Sequence, residues 1–400
     1  MNLGHLNIAK PELERFSTSL DIQTRLYLQY SKLIEDSEIG KQLLADLESD
    51  ERVKAMEGTM ISKGSSASRF EPKVLAMWFL WAANEFGQEH AALKLNEYLD
   101  SHHIDVTNTL WVLGVNVDEP IQLTDSLSIV PLSQMPDSRE KEEFSRIDTG
   151  MSGVQHPKPQ AALTCVVRAT KLLTPEPQEA AFGTREFEES CRLLYDVALY
   201  LNTIETMSCI PYLMTSYPLN DMPIGPFGGS GGGAPIHDIV GRKVTKFTLN
   251  KVERLNAVVS SISSCSSTEK ARFDRVLSRL CQAKRRDRIE DKILDLGIAL
   301  EMILLEDNKN NDQLSLSFRL RGAWFISDDA KDRRAVYSAL RSIYEHRSQV
   351  AHSGVLCGNH PEKIQKVRES YGEYESIAER IIAKRILEGK PDWTRLILQS

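Results

Sequence analysis

Two side chains near the C-terminus have the types that chemistry on an oxyanion needs. They are Arg347 and His352, separated by four residues in the stretch RRAVYSALRSIYEHRSQVAHSG, 333–354. A histidine titrates near neutrality and can take or give a proton, whereas a guanidinium stays charged and offers a planar fork of donors. Val336, Tyr337, Leu340, Ile343, Tyr344 and Ala351 recur near helical spacing, which predicts one amphipathic helix with the pair at its C-terminal end and Gly354 as its stop. Positions five apart on an ideal helix sit ~140° around the axis and ~7.5 Å along it. The pair converges only if the helix loosens near Gly354, if the long arginine reaches over, or if a second copy of the motif faces the first. Arg and His are also ordinary helix-end residues.

Other candidates carry a bland reading beside the chemical one. The basic run AKRRDR, 283–288, is expected to open a helix with Lys284, Arg285, Arg286 and Arg288. Such a run is usually a solvated face, but with Arg319, Arg321, Arg333, Arg334 and Arg341 it could form a patch that binds a nucleic-acid backbone. GGSGGG, 228–233, lacks the Lys-Ser or Lys-Thr of a phosphate loop and reads as a flexible loop between prolines. His102, His103 and Asp105 have no third-ligand motif nearby and read as residues beside a helix end. The six cysteines are scattered, with no CxxC pair, and are expected to be free thiols in a reducing cytoplasm. No metal set and no cofactor motif is expected.

The elements that must hold these residues follow from texture. At 400 residues, 41% hydrophobic and 26% charged, the chain has the composition of a soluble globular protein with two or three domains. Its formal charge of −7 gives no global pull toward nucleic acid. The N-terminal sequence lacks the basic start and apolar core of an export signal, and VLAMWFLWAA, 74–83, is about half the ~20 residues that cross a bilayer. A cytoplasmic protein without membrane contact is expected.

Residues 1–103 read as helical, with a break at SKGSSAS, 62–68, and one long helix near 72–102 whose apolar face includes Leu75, Trp78, Phe79, Ala82, Phe86 and Leu93. Residues 104–265 read as an α+β region: short β-branched segments form a small, antiparallel sheet, with loops at 145–160 and around the glycines, a helix at 184–205 capped by Thr184, and a strand near 241–250 returning to the sheet. After SSISSCSS, Ser266 and Glu269 form a capping box that opens an all-α domain, 266–400, with helices near 268–283, 285–306, 330–352 and 361–388. The fold class is α+β, a mixed helical and small-sheet N-terminal region followed by a helical bundle.

The arrangement RSQVAHSG, preceded by Ile343 and Tyr344, resembles the C-terminal signature of the HEPN superfamily, in which Arg and His are separated by four to six residues. It is most similar to the Apea-like branch, where a tyrosine shortly before an Arg-Ser pair and a His beside Gly are familiar, although Ser353 here intervenes before Gly354. DRIEDKILDLGIALEMILL, 287–305, looks like the family's first long helix, with Glu301 in the place of its acidic residue. LSLSFRLRGAWFI, 314–326, resembles its second helical segment, so the likeness spans about residues 270–390.

The resemblance implies a HEPN-like bundle and a metal-independent endoribonuclease, used in bacterial defence against phage or as a toxin. It implies a dimer or higher oligomer whose motifs line one cleft, with Arg347 and His352 catalytic; the basic run Lys284, Arg285, Arg286 and Arg288, read from its charge, is expected on the RNA. Ser348 would hydrogen-bond the phosphate or cap the helix. Glu301 would orient the pair or tie two helices together. Tyr344 would be core, with its hydroxyl reaching the cleft. Some HEPN domains are instead non-catalytic dimerisation or ligand-binding modules, which is the alternative. The first 265 residues lie outside the resemblance and are expected to sense a phage-derived trigger or to restrain the site.

Overall fold

The computed structural model describes residues 21–62, 67–146, 158–173, 185–204, 207–219, 221–227, 244–307 and 313–398. The glycine run 228–233, Thr184 and most of the loop at 145–160 lie outside them. In chain order the elements are α1 Ile22–Asp36, α2 Glu38–Ser49, α3 Glu51–Lys54, β1 Met60–Ser62, β2 Ala67–Arg69, α4 Pro72–Phe86, α5 Gln88–Asp100, β3 His103–Leu113, β4 Val115–Asn116, β5 Ile121–Gln122, β6 Leu127–Pro131, α6 Arg139–Arg146, β7 Ala161–Thr170, β8 Leu172–Leu173, α7 Arg185–Leu201 and β9 Ile210–Pro218. They continue with β10 Thr245–Lys246, α8 Val252–Ser263, α9 Ser267–Arg285, α10 Ile289–Leu304, α11 Leu314–Ile326, α12 Ala330–Ser353, α13 Pro361–Glu388 and α14 Trp393–Leu398. The class is α+β, with a small antiparallel sheet region and a helical C-terminal part.

Contacts divide the chain into two compact units, 1–111 with 118–194 and 212–235, and 112–117 with 195–211 and 236–400. This division is discontinuous and does not follow the three consecutive segments expected from texture. Composition along the chain does not report which distant segments share a core.

In the first unit the sheet runs β5-β6-β7-β3-β9, with the β5–β6 and β6–β7 pairs antiparallel. A separate core gathers α1, α2, α4 and α5 around Trp78, Phe79, Leu80 and Tyr98. The single helix expected near 72–102 is two, broken at Gly87, whose φ of 92° is open to glycine and strained for other residues. The break also leaves Phe86 and Leu93 exposed, at 46% and 57%, rather than on an apolar face. Of the break at 62–68, residues 63–66 lie outside the described residues; β1 and β2 on either side of them pair antiparallel.

The second unit is built on α8–α14. Phe273, Val276, Leu277 and Leu280 of α9 and Ile293, Leu296, Leu300 and Ile303 of α10 supply much of its interior. Ser266 caps α9 as expected, its hydroxyl accepting from the Glu269 N–H at 3.3 Å. The strand at 245–246 pairs with β4 as a two-stranded parallel ribbon, not with the five-stranded sheet. Buried Glu306 joins Arg272, Arg385 and Lys390, tying the end of α10 to α9 and α13. All six cysteines are free. No described helix is long and apolar enough to cross a membrane.

Candidate functional site

α12 begins on Asp329, whose carboxylate accepts from the Lys331 and Asp332 N–H groups at 2.9 Å. Val336, Ala339, Leu340, Ile343 and Val350 form its buried stripe, so the stripe ends on Val350 while Ala351 is exposed. The helix stays regular through Ser353. Gly354 then takes φ 70° and its N–H donates to the Val350 carbonyl at 2.8 Å. The loosening that could have drawn Arg347 and His352 together is absent.

Arg347 turns inward. Its stem lies across Gly297 of α10, so closely that a Cβ there would stand 2.6 Å from Arg347 Cγ and 2.9 Å from its Cβ. From this slot Nη2 donates to Glu301 Oε2 at 2.6 Å, one helical turn beyond Gly297. Nε is buried and has no hydrogen-bond partner among the described residues. The pair is mostly enclosed, with 27% of the arginine side chain and 21% of the glutamate exposed. Burial pushes the Glu301 carboxyl above the usual carboxylate range, and the Arg347 charge offsets part of that rise.

His352 is exposed on the last turn of α12. The structure thus brings together Arg347 and Glu301, and does not add His352 to them within one chain. Tyr344 packs its ring against Phe318, centroids 5.4 Å apart, which gives it a core role at its ring. Ser348 is half-buried and does not cap the helix. That place is taken by Ser353, which donates to the Gln349 carbonyl at 2.7 Å and accepts from the Val355 N–H at 3.3 Å.

The basic run is divided by the fold. AKRRDR closes α9 rather than opening the next helix, a position where cations meet the negative end of the helix dipole. Lys284 is 1% exposed, donates to the Met207 and Asn202 carbonyls at 2.5 and 3.3 Å and pairs with Glu379 at 2.7 Å. It cannot reach RNA from there, and its expected contact is corrected to a structural one. Arg288 points to solvent near Glu290, 3.8 Å away.

Arg285 and Arg286 instead join Arg275 and Arg279 around a groove of about 720 Å³, floored by Ile298 and Met302 of α10. Asp295, 4% exposed at its side chain, holds Arg279 at 2.7 Å and Arg286 at 3.4 Å. Arg275 and Arg285 make no ion pair among the described residues, and Arg285 Nε is buried and unpartnered. Of the other arginines four are engaged locally, Arg319 over Tyr337, Arg321 with Asp307, Arg333 over Trp324 and Arg341 with Glu345, and Arg334 is exposed.

Four residues of the site escaped the sequence reading. Gly297 sits inside a helical pattern, where glycine is costly and therefore signals close approach. Arg275 and Arg279 lie one turn apart on α9 and become a groove only against α10. His346, beside Arg347, is half-buried with Nδ1 enclosed and unpartnered among the described residues, and burial lowers its pKa. Among the described residues no cluster of His, Cys, Asp or Glu is placed to hold a metal ion.

Compared with protein-family models, with curated proteins and with solved structures, the chain matches none.

Proposed function

We propose that the protein is a HEPN-type, metal-independent endoribonuclease, acting in the cytoplasm as a homodimer or higher oligomer, in anti-phage defence or as a toxin released by a phage-derived trigger. The observation that carries the reading is Arg347, seated over Gly297 with its guanidinium on Glu301 and its Nε buried without a partner among the described residues. A charge held this way is preorganised for an oxyanion, which would take the unspent donor and share or replace the carboxylate.

In the proposed reaction the RNA 2′-oxygen attacks the adjacent phosphorus and loses its proton to a base. Charge gathers on the non-bridging oxygens, and the bond to the 5′-oxygen breaks as that oxygen takes a proton. The products are a 2′,3′-cyclic phosphate and a 5′-hydroxyl. Arg347 stabilises the phosphorane charge, and exposed His352 performs one proton transfer, with the partner copy's motif completing the cleft. Arg275, Arg279, Arg285 and Arg286 give the RNA backbone a track beside α10. Gly297 and Glu301 face Arg347, while Ile298 and Met302 floor the groove ~100° around the same helix, about a quarter of its circumference away.

Purified protein incubated with RNA in chelator should leave cyclic phosphate ends, and His352→Ala should abolish cleavage with the fold intact. Metal-dependent cleavage insensitive to that change would overturn the proposal. A non-catalytic assembly module is the second reading. It is favoured by the Glu301–Arg347 pair, which also ties α10 to α12 as a purely structural bridge would.

A further inference from the structure

The first unit holds a cavity of about 310 Å³ against one face of the five-stranded sheet. Its floor is made by side chains of adjacent strands: Thr164 on β7, Thr107 and Thr109 on β3, and Thr215 on β9. Val130, Met135, Pro218 and Leu219 supply apolar wall. Thr109 and Thr215 are buried, at 4% and 1% exposure. The Trp111 indole N–H donates to Thr215 Oγ1 at 3.1 Å, and the Tyr217 hydroxyl donates to Glu140 at 2.7 Å. The hydroxyls of Thr107, Thr109 and Thr164 hydrogen-bond to nothing among the described residues.

A dry sheet face that only packs favours valine or isoleucine over threonine. Threonine has valine's outline, but its hydroxyl costs free energy when dried without a partner. Thr107 and Thr164 are half-buried and none of the three unspent hydroxyls is enclosed, so they open onto the cavity, where the polar atoms of a ligand can meet them. Neighbouring strands lie ~4.8 Å apart, so the hydroxyls form a row at about that spacing, which the edge of a cyclic amide or imide can span. Among the described lining residues Asp137 is the one charged group, and it is paired with Lys141 at 2.9 Å near the surface. Lys141 also donates to the Met135 carbonyl at 2.5 Å and lies outside the lining, so no described lining residue is a cation that could receive a phosphate or carboxylate. The volume is at the small end of ligand cavities, too small for a polymer.

We infer that this cavity binds a neutral small molecule with a flat, largely apolar body and one hydrogen-bonding edge. The inference stands apart from the ribonuclease reading and survives its failure.

The neutral fluorescent ketone prodan, which has an apolar ring system and a single carbonyl, is the probe. Titrated into the full chain, it should bind at one saturable site with blue-shifted emission. Thr164→Phe, which fills the floor, should weaken binding at least tenfold, and Thr109→Val severalfold. Thr109→Val without probe should unfold at the same or a higher temperature, because its hydroxyl is not spent on the fold. Absence of saturable binding, equal affinity in the variants, or a lowered melting temperature for Thr109→Val overturns the inference. If Thr164→Phe fails to fold, Thr109→Val decides alone.

Discussion

Gly297→Ala separates a glycine that merely sits in a helix from one that makes room for Arg347. The added Cβ would meet Arg347 Cγ at 2.6 Å, against an ordinary limit of 3.4 Å, so about 0.8 Å must be recovered. The atoms it meets are at the root of the side chain, not its mobile tip. Either α12 backs away from α10 or the arginine swings out and leaves Glu301. Alanine gains roughly 1 kcal/mol of helix propensity over glycine, while overpacking costs roughly 1–3 kcal/mol, so the variant should be between neutral and ~2 kcal/mol less stable. Catalysis should suffer more, because displacement by about 1 Å commonly costs ~100-fold in rate. Urea denaturation and kcat on RNA would be measured for Gly297→Ala, Arg347→Ala and the double variant. Since Arg347→Ala removes Cγ, the cycle should show coupling of roughly 0.5–3 kcal/mol. A variant stabilised by the full propensity gain, cleaving RNA at the normal rate and additive with Arg347→Ala, would refute the reasoning.

Lys284 and the groove arginines should part company under mutation. Lys284→Ala removes the ion pair to Glu379 and the donor that the Met207 and Asn202 carbonyls share, so it should cost about 3–5 kcal/mol in denaturation and leave the salt dependence of RNA binding unchanged in any folded fraction. Arg275→Ala with Arg285→Ala should keep the melting temperature and reduce the salt slope of binding to single-stranded RNA by roughly 0.7 per arginine. Lys171 gives a pH test: it is 3% exposed, donates to the Tyr98 carbonyl at 2.5 Å, and burial pulls its pKa down to about 8 from 10.5. The folded state thus binds its proton less well than the unfolded chain. The resulting penalty is full below pH 8 and fades as pH rises toward 10.5. Relative to Lys171→Met, the wild type should gain up to about 3 kcal/mol over that window, and equal pH profiles would contradict the assignment.

What the sequence disclosed was local. The Ser266 cap, the start of α13 and the Gly354 stop depend on a few adjacent residues, and each lies where spacing placed it. Side-chain direction was harder because residue type and helical phase gave opposite advice. Lys284 follows Leu277 by seven positions and Leu280 by four, which puts it on the buried stripe of α9, yet lysine is rarely buried without a partner. Its partners, Glu379 and the carbonyls of Asn202 and Met207, lie far away in the chain, and no local pattern announces them. Asp295 reads as an ordinary helix residue until the fold sets Arg279 and Arg286 against it. The Arg347 slot was half legible: Glu301 and Gly297 are one turn apart on one face, but only the packing of α12 on α10 shows which arginine lies across them.

The same packing narrows how Arg347 and His352 could act together. Three routes were open: a loosened helix end, an arginine reaching over, or a second copy of the motif. α12 is helical through both residues, with the Gly354 N–H closing on Val350, so the first is absent. The Arg347 stem runs down onto Gly297 and its guanidinium is bound to Glu301, so the second would require breaking a mostly enclosed ion pair and turning the side chain away from its seat. The third leaves every contact in place, because the exposed His352 of one chain can approach a phosphate held by Arg347 of another. The proposed reaction would then need association. Mixing Arg347→Ala with His352→Ala chains should therefore restore part of the cleavage that neither performs alone, whereas a site complete within one chain would remain silent in the mixture.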